Sequence, residues 1–393
     1  MTTTKNNEHK KLNVPNLRFK EFQGEWAKCT LNEVCKFHNG RAYKQTELLA
    51  AGKYRVLRVG NFFTNDSWYY SNLELEDNKY AQNGDLLYAW SASFGPRFWR
   101  EEKVIFHYHI WKIDSFKNVD KNFLYHFLDL DSAKIKNEVQ GGTMVHITKG
   151  DMEKRTISYP SVPEQRNIAR FLFLLDERIA TQNKIIEDLK KLKSAIIDYE
   201  INSLDSGFIK FSSLYEMAGE GGTPTTSNAS FYDNGKIPFI KIDDLKKKYL
   251  TENKDFITEL GLQKSSAWLV PTRSILFSNG ASIGEITITT YPVCTKQGIL
   301  GIVPMPNVDV EFLYYFMSSS FFKKAVSRIV TEGTMKTAYL KDINNILCPI
   351  PTKEEQQEIA KIPSALNSKI DTEKSILKLF ITQKQHLLHQ MFI

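Results

Sequence analysis

The chain has 393 residues, 42% of them hydrophobic, so its length and composition predict at least two folded domains and exclude an intrinsically disordered protein. It contains no apolar run of about eighteen residues and no apolar signal core near its start, so we expect a cytoplasmic protein. The formal net charge of +7 permits nucleic-acid binding but is also found in many unrelated enzymes.

The first half of the sequence recurs in the second half. The matching segments, in order, are GKYRVLRVGNF (52–62) with GKIPFIKIDDL (235–245), LLYAWSASFG (86–95) with ILFSNGASIG (275–284), NFLYHFL (122–128) with EFLYYFM (311–317), GGTMVHITKGDM (141–152) with EGTMKTAYLKDI (332–343), and YPSVPEQRNIARFL (159–172) with IPTKEEQQEIAKIP (350–363). The offset rises from 183 to 191 and never reverses. This slow drift indicates an ancient duplication with small loop insertions.

Each copy predicts the same succession of elements. Short strands punctuated by Gly and Pro come first, followed by a small helix at 122–138 or 311–330. A Gly-Thr-Met loop and a strand ending in Pro then lead into a long helix, from about Pro163 to Glu200 in the first copy and from about Lys353 to the C-terminus in the second. The predicted fold class is α+β, with two similar α/β-type domains joined by two long, coiled-coil-like antiparallel helices.

The long helices carry apolar side chains at spacings of three and four residues, the pattern by which helices pack side by side. The predicted packing residues are Ile168, Leu172, Leu175, Ile179, Ile186 and Leu189 in the first helix and Ile359, Leu366, Ile370, Leu377, Phe380 and Leu387 in the second. Leu192 is expected to fill the gap that Lys193 leaves in the first stripe. The helices either pack on each other or lie on their own domains, and a length of ~50 Å favours the first arrangement. Pro363 predicts a kink or a new helix start.

These elements divide the chain into four segments. Residues 1–162 and 203–351 are the two domains, 163–202 is a central helix that acts as a spacer and a partner-docking element, and 352–393 is a distal helix that packs on it. Two similar domains on a helical spacer suit a ligand that repeats in space, of which duplex DNA is the commonest. The order domain, helix, domain, helix also predicts an approximate two-fold axis, on which two identical partner subunits could dock.

Three loop regions of each domain carry side chains of the types that contact DNA bases or phosphates. In the N-terminal domain they contain Arg41, Tyr43, Lys44 and Gln45; Trp90, Ser91, Ser93, Arg97 and Arg100; and Thr143 and His146. In the C-terminal domain they contain Thr223, Thr225, Thr226 and Asn228; Asn279 and Ser282; and Thr334, Lys336 and Thr337. Because Gly-Thr-Met is common to both copies, we assign Thr143 and Thr334 to phosphate contacts and the unlike His146 and Thr337 to base readout.

The sequence lacks the motifs of the common catalytic sites. It has no Gly-x-x-x-x-Gly-Lys-Ser/Thr phosphate loop, no Gly-x-Gly-x-x-Gly and no amino-methyltransferase signature. The nearest nuclease-like cluster, Asp151, Glu153 and Lys154, has a counterpart in the second copy without the Glu and the Lys. His107 and His109 alternate on one face of a predicted strand and are expected to be packed or hydrogen-bonded rather than bound to metal. We predict no catalytic residue and no metal site.

Over almost its full length the chain resembles the specificity subunits of type I restriction–modification systems. The segment GEGGTPTTSNASFYDNGKIPFIKIDDL (219–245) looks like the Gly-Gly-Thr-Pro opening of that family's target-recognition domains. EGTMKTAYLKDI, PIPTKEEQQEIA and YPSVPEQRNIA look like the segments that lead into the family's conserved helices. The first copy departs from the pattern, since FHNGRAYKQ (37–45) stands where Gly-Gly-Thr-Pro is expected.

The resemblance implies a subunit that recognises DNA and performs no catalysis. Each domain would read one half of a two-part, double-stranded target. The helices would set the spacing and dock two modification subunits that methylate adenine, and restriction subunits would join to cut DNA with ATP. S-adenosylmethionine, ATP and Mg are then expected only on the partner subunits.

Two other classes of protein stay open at this point. One is a single-chain DNA nuclease or methyltransferase with an unrecognised site, which the purified chain would reveal by cutting or methylating DNA alone. The other is a coiled-coil scaffold whose domains bind proteins, which indifference to DNA even beside its partners would reveal.

Overall fold

The structure, a computed structural model, describes residues 12–63, 65–91, 94–138, 146–280, 282–330 and 337–393. The chain divides into two compact units, an N-terminal unit of residues 1–182 and 376–393 and a C-terminal unit of residues 183–375. Each of two long helices therefore contributes one part to each unit. Within the described part of the chain, no helix combines the length and the apolar character needed to cross a bilayer.

The N-terminal unit is built on short strands and a few helices. Its strands are β1 (Ala27–Thr30), β2 (Lys36–Asn39), β3 (Tyr54–Leu57), β4 (Tyr69–Ser71), β5 (Tyr80–Ala81), β6 (Leu86–Ala89), β7 (Gly95–Phe98), β8 (Val104–Phe106), β9 (Ile110–Asp114) and β10 (Thr156–Tyr159). Its helices are α1 (Leu31–Val34), α2 (Val59–Phe63), α3 (Lys121–Glu138), α4 (Lys149–Lys154) and the first part of α5 (Val162–Asn202).

Two four-stranded sheets and one strand pair make up this unit. One sheet has the order β2-β9-β6-β7 and is antiparallel throughout, and the other has the order β4-β3-β8-β5 with β3 and β8 parallel. All four residues of β6 are buried, as expected for a short apolar run bounded by turns. The main core lies between the first sheet and the helices α3 and α5, where Trp111, Phe123 and Leu172 belong to one apolar cluster.

The C-terminal unit repeats this plan with local differences. Its strands are β11 (Phe208–Lys210), β12 (Tyr215–Glu220), β13 (Ile237–Ile240), β14 (Tyr249–Leu250), β15 (Asp255–Ile257), β16 (Ile275–Ser278), β17 (Ile286–Thr289), β18 (Cys294–Thr295), β19 (Ile299–Pro304) and β20 (Leu347–Pro349). Its helices are α6 (Glu259–Gln263), α7 (Val310–Ser318), α8 (Ser320–Ile329), α9 (Leu340–Ile343) and the first part of α10 (Lys353–Met391). The sheet orders are β12-β19-β16-β17-β14 and β15-β13-β18, beside the pair β11-β20.

The duplication predicted from the sequence is thus visible in the strand order of the two units. One helix differs from the prediction. The segment 311–330 forms two helices, α7 and α8, because Ser319 leaves the helical conformation and its hydroxyl caps α8 by accepting a hydrogen bond from the Phe322 amide.

The long helices α5 and α10 have 41 and 39 residues, which confirms the two long elements predicted from the sequence. Within each unit their segments run antiparallel. In the N-terminal unit Lys384 lies 2.6 Å from Asp176, and in the C-terminal unit Lys193 donates a hydrogen bond of 3.1 Å to Asn367. The chain stays helical through Pro363, so the predicted new helix start is wrong.

The residues predicted for helix packing all lie at least partly out of solvent. Ile168, Leu172, Ile186 and Ile370 are buried, and Leu175, Ile179, Leu189, Ile359, Leu366, Leu377, Phe380 and Leu387 are half-buried. Leu192, in contrast, is 49% exposed, and Lys193 itself lies half-buried against α10, so the prediction that Leu192 fills the gap is wrong. Lys193 can occupy the interface because its ammonium finds an oxygen on Asn367 there.

The repeated Glu-Gln phrase has a structural explanation in its glutamine. The Gln165 side chain accepts a hydrogen bond from the Asp120 amide at 2.6 Å and donates to the carbonyls of Asn118 and Pro160 at 2.8 Å. Gln356 makes the same three bonds, to the backbones of Asp309, Asn307 and Pro351. In each unit the glutamine thus joins the start of the long helix to the loop that precedes α3 or α7.

The glutamates that precede these glutamines, Glu164 and Glu355, make different contacts in the two units. Glu164 is buried and forms a two-bonded ion pair with the Arg18 guanidinium, with both N–O distances at 2.7 Å. Glu355 is exposed and caps its helix by accepting bonds from the amide and hydroxyl of Thr352. Only the glutamine is therefore equivalent in the two copies.

Candidate nucleic-acid interface

A tight turn, at which the chain passes from one sheet to the other, lies at the centre of the predicted loop regions in the N-terminal unit. It consists of residues 107–109, His-Tyr-His, between β8 and β9, and we call it the N-terminal tip. Its ends are fixed because Phe106 and Ile110 are fully buried. The sequence pattern predicted that the two histidines share one face of a strand. The structure does not place them in a strand. They lie in the turn, with ring centroids 4.8 Å apart.

The first loop region packs directly against this tip. The Arg41 amide donates to the Phe106 carbonyl at 3.0 Å, and the Tyr43 ring stacks on His107 at 6.4 Å between centroids. The Arg41 guanidinium lies over the Tyr43 ring and pairs with Glu47 at 2.7 Å. Lys44 and Gln45 are exposed beside it.

A glycine makes this close approach possible. A Cβ atom on Gly40 would lie 2.3 Å from the His107 carbonyl oxygen, far closer than any side chain tolerates. In the C-terminal unit a Cβ on Gly221 would lie 2.3 Å from the Thr295 carbonyl oxygen. The departure of the first copy from Gly-Gly-Thr-Pro therefore preserves the glycine that packs against the tip.

The second and third loop regions meet at the same tip. The Trp90 indole donates to the Tyr108 carbonyl at 2.8 Å, and its ring lies 4.9 Å from His109 and 6.0 Å from His146. Ser91 is buried and pairs with His146 through an isolated antiparallel bridge. Arg97 and Arg100 of the second region do not reach the tip. Arg97 and Arg100 line a groove formed by β7, α3 and α5, together with Lys121, Tyr125 and Arg170.

The C-terminal unit has an equivalent tip, residues 296–298, Lys-Gln-Gly, between β18 and β19. We call it the C-terminal tip. The Thr223 hydroxyl accepts a hydrogen bond of 3.3 Å from the Gln297 amide. The Asn279 amide donates to the Gly298 carbonyl at 3.0 Å, and the Asn279 carbonyl accepts from the Ala338 amide at 2.9 Å. The three loop regions of this unit therefore also converge on the tip.

The side chains predicted in the C-terminal unit differ in their exposure. Thr225, Thr226 and Asn228 lie in an exposed turn, where the Asn228 side chain accepts a bond from the Ser230 amide. Ser282 is exposed and Thr337 is half-buried. Asn279 is only 1% exposed, so its side chain braces the loop rather than facing solvent. The predicted residues Ser93, Thr143, Thr334 and Lys336 lie outside the residues that the structure describes.

The two tips differ in charge. Burial, followed by the charges of His109 and Arg58, lowers the pKa of His107 to about 4. Burial, and then His146, lowers the pKa of His109 as well. At neutral pH the N-terminal tip therefore presents uncharged imidazoles, whereas the C-terminal tip carries an exposed lysine, Lys296.

Neither the nuclease-like cluster nor the histidines form a catalytic arrangement here. Asp151 belongs to the cap of α4, where it pairs with the Thr148 hydroxyl, and Glu153 lies 3.4 Å from Lys149 on the same helix. Among the described residues, no group of three or more His, Cys, Asp or Glu side chains is placed to hold a metal ion.

The sequence did not single out the two tips as candidate DNA contacts. His107 and His109 were weighed only as a packed or metal-binding pair. The signal that identifies the tips is the repeat: at the offset of 189 that relates the neighbouring segments, residues 107–109 align with 296–298, and the two sets of side chains are entirely unlike.

The family comparisons agree with this two-part organisation. The model of the type I restriction modification DNA specificity domain matches residues 23–191 and again residues 206–379. The MjaIX specificity subunit of Methanocaldococcus jannaschii is 32% identical over 171 residues, which are 42% of this chain and 38% of that protein. The MjaVIII specificity subunit of the same organism is 24% identical over 77% of this chain and 80% of that protein. The EcoBI specificity subunit of Escherichia coli is 23% identical over 86% and 78%.

Solved structures show the same fold. The type I S subunit from M. genitalium superposes with a TM-score of 0.56 at 19% identity and covers 97% of this chain and 99% of that one. A chain from a structural study of assembly and conformational transition in the type I R-M system gives a TM-score of 0.59 at 15% identity, over 92% and 96%. With two matched domains that together span most of its length, the chain belongs to the specificity subunits of type I restriction–modification systems.

Proposed function

We propose that each unit of this specificity subunit reads one half of a two-part DNA target, through the loop cluster around its tip. The observation that carries the proposal is the convergence of three separate loop regions on one tip in each unit. A chain with two such surfaces suits a target of two short sequences with a gap between them. The long helices set that gap.

The chain acts as the non-catalytic member of a larger complex. Two modification subunits supply adenine methylation, with S-adenosylmethionine as methyl donor, and restriction subunits supply ATP- and Mg-dependent cleavage. We place this complex in the cytoplasm, where the DNA is.

The helices offer a surface for the modification subunits. On α5, Ile185, Leu192 and Tyr199 recur every seven residues and are 40%, 49% and 71% exposed. Large apolar side chains exposed at helical spacing usually mark a surface that another protein covers. This stripe supports helical docking of a partner.

A methylation map tests the proposal. The chain is expressed with its modification subunit in a host without the system, and N6-methyladenine is mapped over the genome. We expect methylated adenines in one motif with two short specific halves and a fixed gap. Absence of new methylation from a complex that forms and co-purifies would overturn the proposal.

A further inference from the structure

We propose that the side chains of the two tips select the base pairs that each unit accepts, an inference that rests on the proposed function. His107 and Tyr108 would do so in the N-terminal unit, and Lys296 and Gln297 in the C-terminal unit. The argument depends on a backbone framework that the units share and on side chains that they do not.

The shared framework consists of hydrogen bonds between peptide groups. In the N-terminal unit the amide–carbonyl bonds are Gly40 to Ile110 (3.1 Å), His107 to Leu57 (2.9 Å) and Trp90 to His109 (3.1 Å). In the C-terminal unit they are Gly221 to Ile299 (2.9 Å), Lys296 to Ile240 (2.9 Å) and Asn279 to Gly298 (3.0 Å). Because peptide groups make these bonds, the tip can change its side chains without losing its position.

The first two positions of each tip are the ones that vary freely within this framework. The third position differs in conformation, since Gly298 has a φ of +91°, which His109 does not share. Ser91 and Asn279, in the loops behind the tips, are buried and support the tips rather than facing solvent. Within the tips, the side chains that remain to meet a ligand are therefore those at 107–108 and 296–297.

Their chemistry suits base readout. Lys296 and Gln297 are exposed, and no described residue bonds to either side chain. A lysine can donate to O6 and N7 of guanine, and a glutamine can bond N6 and N7 of adenine with its amide. Tyr108 is 39% exposed beside Trp90 and offers a hydroxyl and an aromatic face instead. Two tips so different should accept different base pairs, as a target with two unlike halves requires.

Two single substitutions in the full complex test the inference. Gln297→Ala should relax one base position in one half of the methylated motif, and Tyr108→Ala should relax a position in the other half. Each variant should keep the gap and the opposite half unchanged, which also shows that it folds and assembles. Lys264→Ala, an exposed lysine of the C-terminal unit outside the loop cluster, is the control and should leave the motif unchanged.

Binding to duplexes that carry the mapped motif or single-base variants gives the second measurement. For Gln297→Ala we expect discrimination at one position to fall by about tenfold or more, the loss typical of one base contact. Equal weakening on every duplex would assign the residue to a phosphate contact and overturn the inference. An unchanged motif in both variants would overturn it too, while leaving the proposed function intact. No motif with the unaltered chain would overturn the proposed function, and this inference with it.

Discussion

At the scale of single residues, the loop clusters around the two tips share the glycines Gly40 and Gly221. Each lies against the backbone of its tip, where a Cβ would overlap a carbonyl oxygen. The residues around them are free to differ because neither glycine contributes a side chain. This explains how Asn-Gly-Arg-Ala-Tyr in one unit and Gly-Gly-Thr-Pro in the other can hold the same kind of turn between two sheets.

A buried histidine makes the stability of the N-terminal unit depend on pH. His126 is fully buried with its ring 4.5 Å from that of Phe173, and burial, together with the charge of Lys384, lowers its pKa to about 3. Below pH ~6.5 the unfolded chain takes up a proton that the folded chain does not, so stability should fall as the pH falls toward 3. In the His126→Leu variant we expect the free energy of unfolding to fall less steeply as the pH is lowered. The difference in slope should be up to ~1.4 kcal/mol per pH unit.

Urea unfolding at several values of pH between 7 and 5 measures the effect. Five of the six tryptophans lie before residue 112, so tryptophan fluorescence reports mainly on the N-terminal unit. His386→Leu, at an exposed site in the same unit, is the control. Identical pH dependence of the unaltered chain and the His126→Leu variant would contradict the assignment.

At the scale of elements, the repeated glutamines connect each long helix to its unit. Gln165→Met keeps the approximate volume but leaves the Asp120 amide and two carbonyls without their partner. Because each buried unpaired group costs about 1–3 kcal/mol, we expect the N-terminal unit to lose about 3 kcal/mol or more. The urea midpoint from tryptophan fluorescence measures this loss. Gln82→Met, at an exposed glutamine of the same unit, should change it little, and equal effects of both variants would refute the assignment.

Polar residues within the helix stripes are also explained at this scale. Lys384, which interrupts the apolar pattern of α10, lies 2.6 Å from Asp176 on α5 and 3.6 Å from Asp129 on α3. Glu373 is nearly buried and lies 2.6 Å from Lys369 one turn earlier. Each charged residue that interrupts the apolar stripe of α10 therefore has an ion-pair partner in its own unit. These interruptions are compatible with packing of the two helices.

At the scale of the whole molecule, the length of the helices should determine the gap in the DNA target. The heptads 182–188 of α5 and 372–378 of α10 lie in the sequence between Asp176 and Lys193 and between Asn367 and Lys384, the residues that connect the two helices within each unit. Duplicating both heptads keeps the apolar stripe in phase and lengthens each helix by ~10 Å. We expect the gap in the methylated motif to grow by about three base pairs of ~3.4 Å while both halves stay the same.

The control for this prediction is a seven-residue insertion in the exposed loop at 251–254, which should leave the gap unchanged. The methylation map measures both variants. A complex that still methylates both halves at the original gap, despite two longer helices, would show that the helices do not set the spacing.

The sequence by itself determined the duplication, the fold class and the two long helices. These features are encoded locally, since a repeat is visible as matching segments and a helix as a spacing of three and four residues. The twelve stripe residues could be named in advance for the same reason, and all are at least partly buried. The predictions for Lys193 and Leu192 were wrong because a lysine can lie in an interface when a facing side chain accepts a hydrogen bond from its ammonium. Here the accepting oxygen belongs to Asn367 of the other helix.

Only the tertiary structure decided which loop residues meet and which face solvent. Trp90, His109 and His146 are distant in sequence and come together because β9 lies beside β6 and because residue 146 pairs with Ser91. The same packing buries Ser91 and Asn279, which sequence reasoning placed among residues that reach DNA. Residue type alone shows that a side chain can bond to a base. Long-range strand pairing decides whether that side chain faces solvent or is buried behind the tip.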